Sequence, residues 1–440
     1  MSTPLLHVLV INWNGLEHLE ACFDSLLATD YANTKLILVD NASDDDSVPF
    51  VESRYGHDPR VEILQCPENL GWSGGNNYAM ERSLADGADY IVLLNNDTWT
   101  APDALRLLVE TAEAYPEAGA LAPKMIMFDA PEILNSIGLE CSWACASWDR
   151  GIGRLDGPRW DEPVETIGAC GGAVLLRSEA LRKTGLLPDF FVQYLDDLDL
   201  CLRVWNAGYT IRTCPGAVFR HKFSATLGQG KRARYKYYLN TRNRLYLMLR
   251  NMPLSRFPQL KLAMALGECR AVGRALLDGE PWRAWAHLKA WAAGVAFLPK
   301  AAAGRWRLRT ARHGACAFWP LMRRTPLFCP GFVMPEEGWY PEVTVAGRAL
   351  RPMSRHATLG VTGGVLRVTH GNCYPRLGAT EIRVTMDGRT LGMLSTTSLD
   401  ETMLTVPPGM LAFEAQRVFD ADDTGELADI GGWIATQPGD

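Results

Sequence analysis

The feature of this sequence that most limits its fold is a regular alternation of apolar runs and helical patterns through residues 1–230. Leu6–Asn12, residues 35–40 and Tyr90–Asn95 are continuous apolar runs, the pattern of strands that are buried on both faces. Between the first two runs, residues 17–28 carry apolar side chains at helical spacing. This β-α-β alternation predicts an open, mostly parallel sheet with helices on its faces.

Each of these three runs ends in polar residues, namely 12–15, 40–43 and 95–97. In open parallel sheets, ligands bind beyond the carboxyl ends of the strands. The sequence therefore predicts that these three polar segments share one ligand-binding edge.

The pattern changes twice after residue 230. Residues 235–304 have a helical apolar period in which Arg and Lys alternate with Trp, Leu and Ala, which predicts two or three amphipathic helices. After Pro330, short alternating runs separated by turn residues predict an all-β, sandwich-like domain. We therefore expect an α/β domain at 1–230, a basic helical region at 231–325 and a β-sandwich-like domain at 326–440.

Charge is distributed unevenly along the chain. The net charge of −6 gives no indication of nucleic-acid binding. Residues 231–330, however, contain 20 Lys and Arg against 3 Asp and Glu. This segment is a candidate for binding an anionic partner, such as lipid headgroups or a pyrophosphate group. It could equally be a helical subdomain that packs on the α/β domain, and the two interpretations are compatible.

Three further features bear on the cellular location. The 11 cysteines are scattered without a CxxC pair, which is typical of free thiols in a reducing compartment. The N-terminus leads directly into a strand pattern and lacks the features of a signal peptide. No uninterrupted apolar run is long enough for a spanning helix. We expect a protein of the cytoplasm or of the inner face of the membrane.

The polar residues after Tyr90–Asn95 suit a metal-bound diphosphate. Asp97 offers a carboxylate at a strand tip, and Asn95 and Asn96 offer amides that can bond a ribose. Asn-Asp pairs are also common in turns, so this motif alone leaves both interpretations open. His221, at the end of a later strand, is a second candidate ligand, although a single histidine is more often structural.

An acidic cluster opens a predicted helix at 197–207. Asp196, Asp197 and Asp199 lie within four residues of one another. Acids at this position are favoured by the helix dipole alone. Crowded carboxylates also raise one another's pKa, which suits a general base near neutral pH. The residues themselves leave both interpretations open.

Residues 69–77 are rich in Gly and Asn and precede a helix predicted at 76–86. Gly71 and Gly74 permit close backbone approach to a ligand and expose N–H donors to anions. The segment is neither a GxGxxG nor a P-loop motif, which argues against a dehydrogenase-type nucleotide protein.

Taken together, these segments resemble the GT-A glycosyltransferases of family 2, especially the bacterial rhamnosyltransferase-like branch. The matching segments follow the order of the family and lie within residues 5–225. They are residues 10–15, 39–47, 69–77, 94–98, 168–173, 190–203 and 215–221. The resemblance implies a GT-A fold and a metal-dependent enzyme that moves a sugar from a nucleotide diphosphate donor with inversion.

The resemblance also implies roles for single residues. Asp97 and His221 would bind Mg²⁺ or Mn²⁺. Asp197 and Asp196 would be the catalytic residues, Asp197 as the base and Asp196 at the position where the family usually has Glu. Asn95 departs from the DxD-type motif and is expected to contact ribose rather than the metal. Asp40 would bond the pyrimidine base. The implied nucleotide-sugar-binding residues are Asn12, Asn14, Asp40, Asn69, Gly71, Gly74, Asn77, Asn95, Asn96, Gly171 and Gly172.

For the substrates, the resemblance implies dTDP-L-rhamnose as donor and a hydroxyl of a cell-surface or polyprenyl-linked glycan as acceptor. A galactofuranosyl or other hexosyltransferase is an alternative, and so is a catalytically silent glycan-binding protein of the same fold. The joint presence of Asp97, Asp197 and His221 favours the enzyme, because a silent binder would usually have lost one of them.

Overall fold

A computed structural model of the chain describes its N-terminal two thirds almost continuously and its C-terminal part in segments. The described residues are 3–154, 156–222, 231–309, 317–323, 343–345, 348–353, 356–361, 364–371, 380–396, 399–416 and 432–438. The chain divides into two compact units, residues 1–152 with 156–329, and residues 153–155 with 330–440. The basic helices therefore belong to the same unit as the α/β part. The boundary expected between residues 325 and 326 lies outside the described residues.

The first unit is built on a mixed sheet of nine strands. Its strands, together with the separate β8–β9 hairpin, are β1 (Leu6–Asn12), β2 (Thr34–Asp40), β3 (Val61–Gln65), β4 (Tyr90–Asn95), β5 (Thr98–Thr100), β6 (Ala118–Met127), β7 (Leu134–Ser136), β8 (Leu139–Cys141), β9 (Ser147–Asp149), β10 (Ala173–Arg177) and β11 (Thr210–His221). The strand order is β3-β2-β1-β4-β10-β6-β11-β5, with β7 paired to β6. Strands β1, β2, β3, β4, β6 and β11 run in one direction, whereas β10 is antiparallel to both its neighbours. The predicted mostly parallel sheet is confirmed.

Helices cover both faces of this sheet. They are α1 (Leu16–Leu27), α2 (Ser47–Tyr55), α3 (Gly71–Ala85), α4 (Ala104–Ala114), α5 (Ser178–Thr184), α6 (Asp196–Asn206), α7 (Lys231–Asn251), α8 (Phe257–Leu277) and α9 (Pro281–Arg309). Alternate residues of β1 belong to different buried clusters. Val8 and Val10 pack in the cluster that contains Phe23 of α1, whereas Leu9 packs in the cluster that contains Met80 of α3 and Leu198 of α6. This alternation explains why β1 is apolar at nearly every position.

The predicted amphipathic helices α7, α8 and α9 form a trio and extend the second of these clusters. Leu245 of α7, Met264 of α8 and Phe297 of α9 are buried in it. The rings of Tyr246 and Phe297 stack with centroids 3.9 Å apart. None of the helices that the structure describes is both long and apolar enough to cross a membrane.

The glycine-rich segment differs from its prediction as a loop, because α3 already begins at Gly71. Gly71 has φ +72°, which favours glycine, and the following turn lies close to β1. A methyl group at Gly75 would lie 2.6 Å from Cδ1 of Ile11. The glycines therefore allow the first turn of α3 to pack tightly against the sheet.

Two strands have different bounds from those that the local sequence pattern indicates. The apolar pattern at 167–177 predicts one strand, but the strand is confined to β10, so Gly171 and Gly172 precede it. The pattern at 209–214 and 217–221 predicts two short strands, but these form a single strand, β11, whose pairing with β6 shifts register between Cys214 and Val218. A local irregularity of this kind interrupts the alternation in the sequence without ending the strand.

The second unit is all-β. Its strands are β12 (Val343–Val345), β13 (Arg348–Met353), β14 (His356–Val361), β15 (Gly364–Gly371), β16 (Thr380–Met386), β17 (Arg389–Thr396), β18 (Leu399–Val406), β19 (Gly409–Ala415) and β20 (Gly432–Pro438). They form two antiparallel sheets, β12-β13-β20-β15-β18 and β14-β19-β16-β17. Val368 and Leu404 of the first sheet share one buried cluster with Ile382 and Phe413 of the second. The predicted sandwich-like domain is confirmed.

Candidate active site

Strand direction brings the predicted site residues to one edge of the sheet. Asn12, Asp40, Asn95 and His221 are the last residues of β1, β2, β4 and β11, which run in the same direction. Because β10 is antiparallel, its amino end lies at this edge, and the N–H of Asn95 donates to the carbonyl of Gly172 at 3.0 Å. The predicted site residues at the ends of these strands therefore lie at the same edge of the sheet, although they are far apart in the chain.

Buried amides and a carboxylate connect β1 with the loop after β2. Nδ2 of Asn12 donates to Oδ1 of Asp40 at 3.4 Å and to Oγ of Ser43 at 3.2 Å. Nδ2 of Asn96 donates in turn to Oδ1 of Asn12 at 2.6 Å. Asn14 has φ +50°, and its Oδ1 accepts the N–H of Asp44 at 2.7 Å. Asn12 and Asn14 thus shape this loop.

Asn41, which the sequence analysis did not select, orders the start of the glycine-rich segment. Its Nδ2 donates to Oδ1 of Asn69 and to the carbonyl of Gly71, both at 3.1 Å. Its Oδ1 accepts the N–H of Leu70 at 2.9 Å. The only sequence signal for Asn41 was its place directly after the polar end of β2.

Two predicted residues of α3 differ in their surroundings. Gly74 lies against Leu70, so that a methyl group there would be 2.7 Å from Cβ of Leu70. The side chain of Asn77 bonds the backbone of Leu187 in both directions, at 2.7 Å and 3.0 Å. Asn77 thus connects α3 with the segment after α5.

Asp97 and His221 form a pair beside Asn95. Nε2 of His221 lies 3.3 Å from Oδ1 of Asp97 and 3.4 Å from Nδ2 of Asn95. Nδ1 of His221 lies 2.7 Å from Oδ1 of Asn135. Oδ1 of Asp97 is buried and has no hydrogen-bond partner among the described residues. An unsatisfied buried carboxylate oxygen beside an imidazole nitrogen is a chemically suitable pair of metal ligands.

The described residues add no further protein ligand to this pair. Within the described part of the chain, no group of three or more His, Cys, Asp or Glu side chains could hold a metal ion. A cation at Asp97 and His221 would therefore take its remaining ligands from substrate and water, as Mg²⁺ commonly does at phosphate sites.

The three acids at the start of α6 have different environments. Asp199 is fully buried, with Oδ2 accepting from Nε of Arg203 at 2.9 Å and from Nη1 of Arg250 at 2.8 Å. Asp196 is also buried and accepts a short hydrogen bond from Oγ of Ser73. The carboxylate of Asp197 accepts hydrogen bonds from the N–H of Gly171 at 3.1 Å and from the N–H of Leu198 at 2.7 Å. Asp199 is thus part of a structural ion-pair network, and the other two face a cavity.

That cavity has a volume of about 310 Å³. Its lining includes residues from the sheet edge, from β9 and from the start of α6. They include Trp72, Asn95, Asp149, Gly171, Gly172, Asp196 and Asp197. Burial raises the pKa of Asp196 to about 7 and that of Asp197 to about 6, and the charge of Asp197 adds to the shift of Asp196. At neutral pH, Asp197 is therefore mostly ionised and still basic enough to accept a proton.

Trp72 forms one wall of this cavity. Its Nε1 donates to Oδ1 of Asn95 at 3.2 Å. A methyl group at Gly171 would lie 2.6 Å from Cη2 of the Trp72 ring. A methyl group at Gly172 would lie 3.4 Å from Cε1 of His221. The two glycines thus leave room for the indole ring and the imidazole.

Asp149, on β9, is a further carboxylate of the cavity that the sequence analysis missed. Its Oδ1 is buried and has no hydrogen-bond partner among the described residues. Its charge contributes to the raised pKa of Asp197. The Trp-, Gly- and Asp-rich sequence around it predicts only loops and short strands over the site. The adjacent Trp148, an aromatic residue in a polar segment, was the one available signal.

The segment before α6 is held in an unusual conformation by α7. Val192, Tyr194 and Leu195 have φ values of +69°, +69° and +64°. Such values are uncommon outside glycine and cost free energy, so surrounding contacts must hold them. Nδ2 of Asn243 donates to the carbonyls of Phe191, Gln193 and Tyr194, at 3.1 Å, 2.8 Å and 2.8 Å.

Nη2 of Arg242 donates to the carbonyls of Phe190 and Phe191, at 3.1 Å and 2.8 Å. The basic helix α7 therefore determines where Asp196 and Asp197 lie.

Comparisons with known proteins agree on one family. Residues 7–183 match the model of glycosyl transferase family 2. The N-acetylglucosaminyl-diphospho-decaprenol L-rhamnosyltransferase of Mycobacterium tuberculosis is 26% identical over 248 residues, which cover 51% of this chain and 78% of that protein. A galactofuranosyltransferase of the same species is 28% identical over 260 residues, 56% of this chain and 83% of that protein.

Among solved structures, S. aureus TarS is similar with a TM-score of 0.47 and 13% identity, over 99% of this chain and 76% of that chain. The match of the family model to residues 7–183 includes the strands β1 to β4 and the segments that carry Asp40 and Asp97. Residues 7–183 of the chain therefore contain a glycosyl transferase family 2 domain.

Proposed function

We propose that this site transfers a sugar from a nucleotide diphosphate donor to an acceptor hydroxyl, with inversion and with a divalent cation at Asp97 and His221. The observation that carries the proposal is the combination of the unsatisfied carboxylate oxygen of Asp97 with a separate, weakly acidic carboxylate, Asp197, in the adjoining cavity. Asn95 and Gly172 line that cavity and also neighbour His221.

The residues present fit Mg²⁺ or Mn²⁺. One carboxylate oxygen and one neutral imidazole nitrogen leave most coordination positions for diphosphate oxygens and water, which is the arrangement that Mg²⁺ favours. A bound cation would offset the negative charge that develops on the departing diphosphate. Asn135 would orient His221 by accepting its Nδ1–H.

Asp197 is the proposed catalytic base. The N–H groups of Gly171 and Leu198 hold its two carboxylate oxygens in place, one each. It accepts the proton of the acceptor hydroxyl as that oxygen attacks the anomeric carbon on the face opposite the diphosphate. A single displacement of this kind needs one base and no covalent nucleophile, and it inverts the configuration. Asp196, bonded to Ser73, positions the start of α6 relative to α3.

The proposed donor is dTDP-L-rhamnose, and the proposed acceptor is a polyprenyl-linked or cell-surface glycan. The relative with 26% identity is an L-rhamnosyltransferase that acts on N-acetylglucosaminyl-diphospho-decaprenol, which supports the rhamnosyl group and the polyprenyl-linked acceptor. The galactofuranosyltransferase, at 28% identity, makes a galactofuranosyl donor the second candidate. Either acceptor class places the enzyme at a membrane surface.

A face of α8 and α9 supports this location. Trp285, Leu288, Val295 and Leu298 of α9 are exposed at helical spacing, and Leu277 at the end of α8 is 85% exposed. Residues 257–309 contain 9 Lys and Arg against 3 Asp and Glu. Apolar side chains among cations fit the surface of an anionic bilayer.

We expect the protein to bind phosphatidylglycerol vesicles at low salt and not to bind phosphatidylcholine vesicles. The double variant Leu288→Glu/Val295→Glu should weaken the binding to phosphatidylglycerol. Equal binding of wild type and variant would contradict the surface assignment.

The function is tested by thermal unfolding with dTDP-, UDP- and GDP-sugars, each with and without Mg²⁺ or Mn²⁺. A ligand that binds only the native state raises the melting temperature. We expect stabilisation by one nucleotide sugar that requires the metal, disappears in Asp97→Ala and persists in Asp197→Ala. No stabilisation by any nucleotide sugar would contradict the proposal and favour a silent glycan-binding protein.

A further inference from the structure

A second cavity adjoins the first on the side of the basic helices. Its volume is about 350 Å³, and it lies between α7, α8 and α9. Ser147, Leu195 and Asn240 line both this cavity and the one that contains Asp197. A ligand with a hydroxyl at Asp197 can therefore continue past Asn240 into the second cavity.

Basic side chains line the second cavity. Among the described residues, Arg244, Arg274, Arg283 and His287 contribute to its wall, and no Asp or Glu of the described part does. The carboxylates that pair with them belong to residues outside the lining. Glu268 bonds Nη2 of Arg244 at 2.6 Å and also Nδ1 of His287. The cavity thus presents cationic groups with their counter-ions outside its lining.

Arg274 and Arg283 retain hydrogen-bonding capacity. A guanidinium has five N–H donors in a planar fork, which suits the oxygens of a phosphate. Arg274 uses Nε for Asp278 at 2.9 Å, and Arg283 uses Nη1 for Glu280 at 3.0 Å. Nε of Arg283 is buried and has no hydrogen-bond partner among the described residues. An anion with several acceptor oxygens would satisfy these donors.

We propose that this second cavity binds the phosphate or diphosphate group of the acceptor, so that the acceptor is a glycosyl phosphate ester whose sugar reaches Asp197. The inference rests on the proposed transferase function and names the acceptor class of the same site. The position of Arg274 supports it, because this residue is 74% exposed and lies two and three residues before the exposed Leu276 and Leu277. The phosphate thus binds where the polar cavity meets the apolar face, as a lipid-linked phosphate requires.

The test uses inorganic pyrophosphate without divalent metal, so that binding at Asp97 and His221 does not contribute. We expect isothermal titration to show binding to wild type and to Asp97→Ala, weakened about tenfold or more in Arg274→Gln/Arg283→Gln, since a hydrogen bond to a charged group commonly contributes this much. The matched control, Lys261→Gln/Lys289→Gln, removes the same charge from the same two helices outside the cavity and should change the affinity less than twofold. Arg274→Gln alone, at an exposed position, serves if the double variant does not fold.

The proposal would be overturned if Arg274→Gln/Arg283→Gln (the cavity variant) and the lysine control lost pyrophosphate affinity equally. It would also be overturned if Asp97→Ala lost pyrophosphate binding. Binding to phosphatidylglycerol vesicles distinguishes whether the cavity arginines bind a lipid headgroup or the phosphate of an acceptor. Both double variants should bind these vesicles equally, and a loss confined to the cavity variant without a loss of pyrophosphate affinity would overturn the assignment. The metal-dependent nucleotide-sugar shift is measured in parallel, because its absence contradicts the proposed function whatever the pyrophosphate result.

Discussion

Oδ1 of Asp97 and Nε2 of His221 face each other at 3.3 Å, while the opposite ring nitrogen of His221 lies 2.7 Å from Oδ1 of Asn135. In a neutral ring, Nδ1 carries the proton and donates it to Asn135, so Nε2 directs a lone pair at the carboxylate. Two such atoms repel each other unless a cation or a proton lies between them. This relationship predicts that Asn135 contributes to cation binding by fixing the orientation of the His221 ring.

Asn135→Ala should weaken Mn²⁺ binding about tenfold, because the loss of a partner behind a metal ligand commonly costs this much. Binding is measured by titration of MnCl₂ in the presence of the stabilising nucleotide sugar. Asn206→Ala is the matched control, since Asn206 is also buried and bonds the carbonyl of Asn251 at the far end of α6. Similar Mn²⁺ affinities in the two variants would show that Asn135 does not orient His221.

The reaction rate should rise with pH up to about 6 and then level off. Asp197 must be ionised to accept a proton, and burial raises its pKa to about 6, so acid below that value removes the active form. Asp197→Asn should lower kcat about 10²- to 10⁴-fold. It should also abolish the acidic limb of the kcat/KM profile. An acidic limb that survives in Asp197→Asn would indicate a different base, and Asp149→Asn would then be measured next.

Asp196→Asn should stabilise the protein at pH 8 and change its stability little at pH 4.5. Burial raises the pKa of Asp196 to about 7, so the folded state binds a proton that the unfolded state has already lost. Stability therefore falls as pH rises from about 4 to 7, the range between the unfolded and folded pKa values. The neutral side chain of Asp196→Asn avoids the cost of burying an ionised carboxylate at pH 8, which should raise the free energy of unfolding by an amount on the order of 1–3 kcal/mol.

The measurement is urea unfolding at both pH values. Asp199→Asn, on the same helix, is a control with the opposite expected sign. It breaks the buried ion pairs with Arg203 and Arg250 and should destabilise the folded protein by about 3–5 kcal/mol. A less stable Asp196→Asn at pH 8 would mean that its bond with Ser73 outweighs the cost of burial.

Gly171→Ala should impair donor binding, because its methyl group would lie 2.6 Å from Cη2 of Trp72 and force the indole ring away from Asn95. Overpacking of this kind commonly costs about 1–3 kcal/mol. The nucleotide-sugar thermal shift reports the effect. Gly273→Ala, in α8 with open space around it, is the control and should be slightly stabilising. An unchanged shift in Gly171→Ala would show that the ring can move without loss of binding.

Asn243→Ala should lower kcat while leaving metal-dependent nucleotide-sugar binding intact. The variant loses three hydrogen bonds that hold Phe191, Gln193 and Tyr194 before Asp196 and Asp197. We expect a loss of about tenfold or more, since small misplacements of catalytic groups are costly. Loss of donor binding in Asn243→Ala would indicate a wider structural role.

The sequence by itself determined the alternation of strands and helices in the N-terminal part, the mostly parallel sheet and the polar strand ends. Apolar runs such as Leu6–Asn12 have a clear period, and parallel strands must end at the same edge. Asn12, Asp40 and Asn95 could therefore be placed together from local pattern alone. The β-sandwich was predictable for the same reason, because alternation such as that of Thr380–Met386 is local.

Only the tertiary structure decided which polar groups share an environment. The three acids of α6 are equivalent in sequence, yet Asp199 meets Arg203 and Arg250 whereas Asp197 faces a cavity. Asp149 and Asn243 reach the site from segments without a recognisable motif. Their roles depend on distances between residues that are far apart in the chain, and periodicity carries no information about such distances.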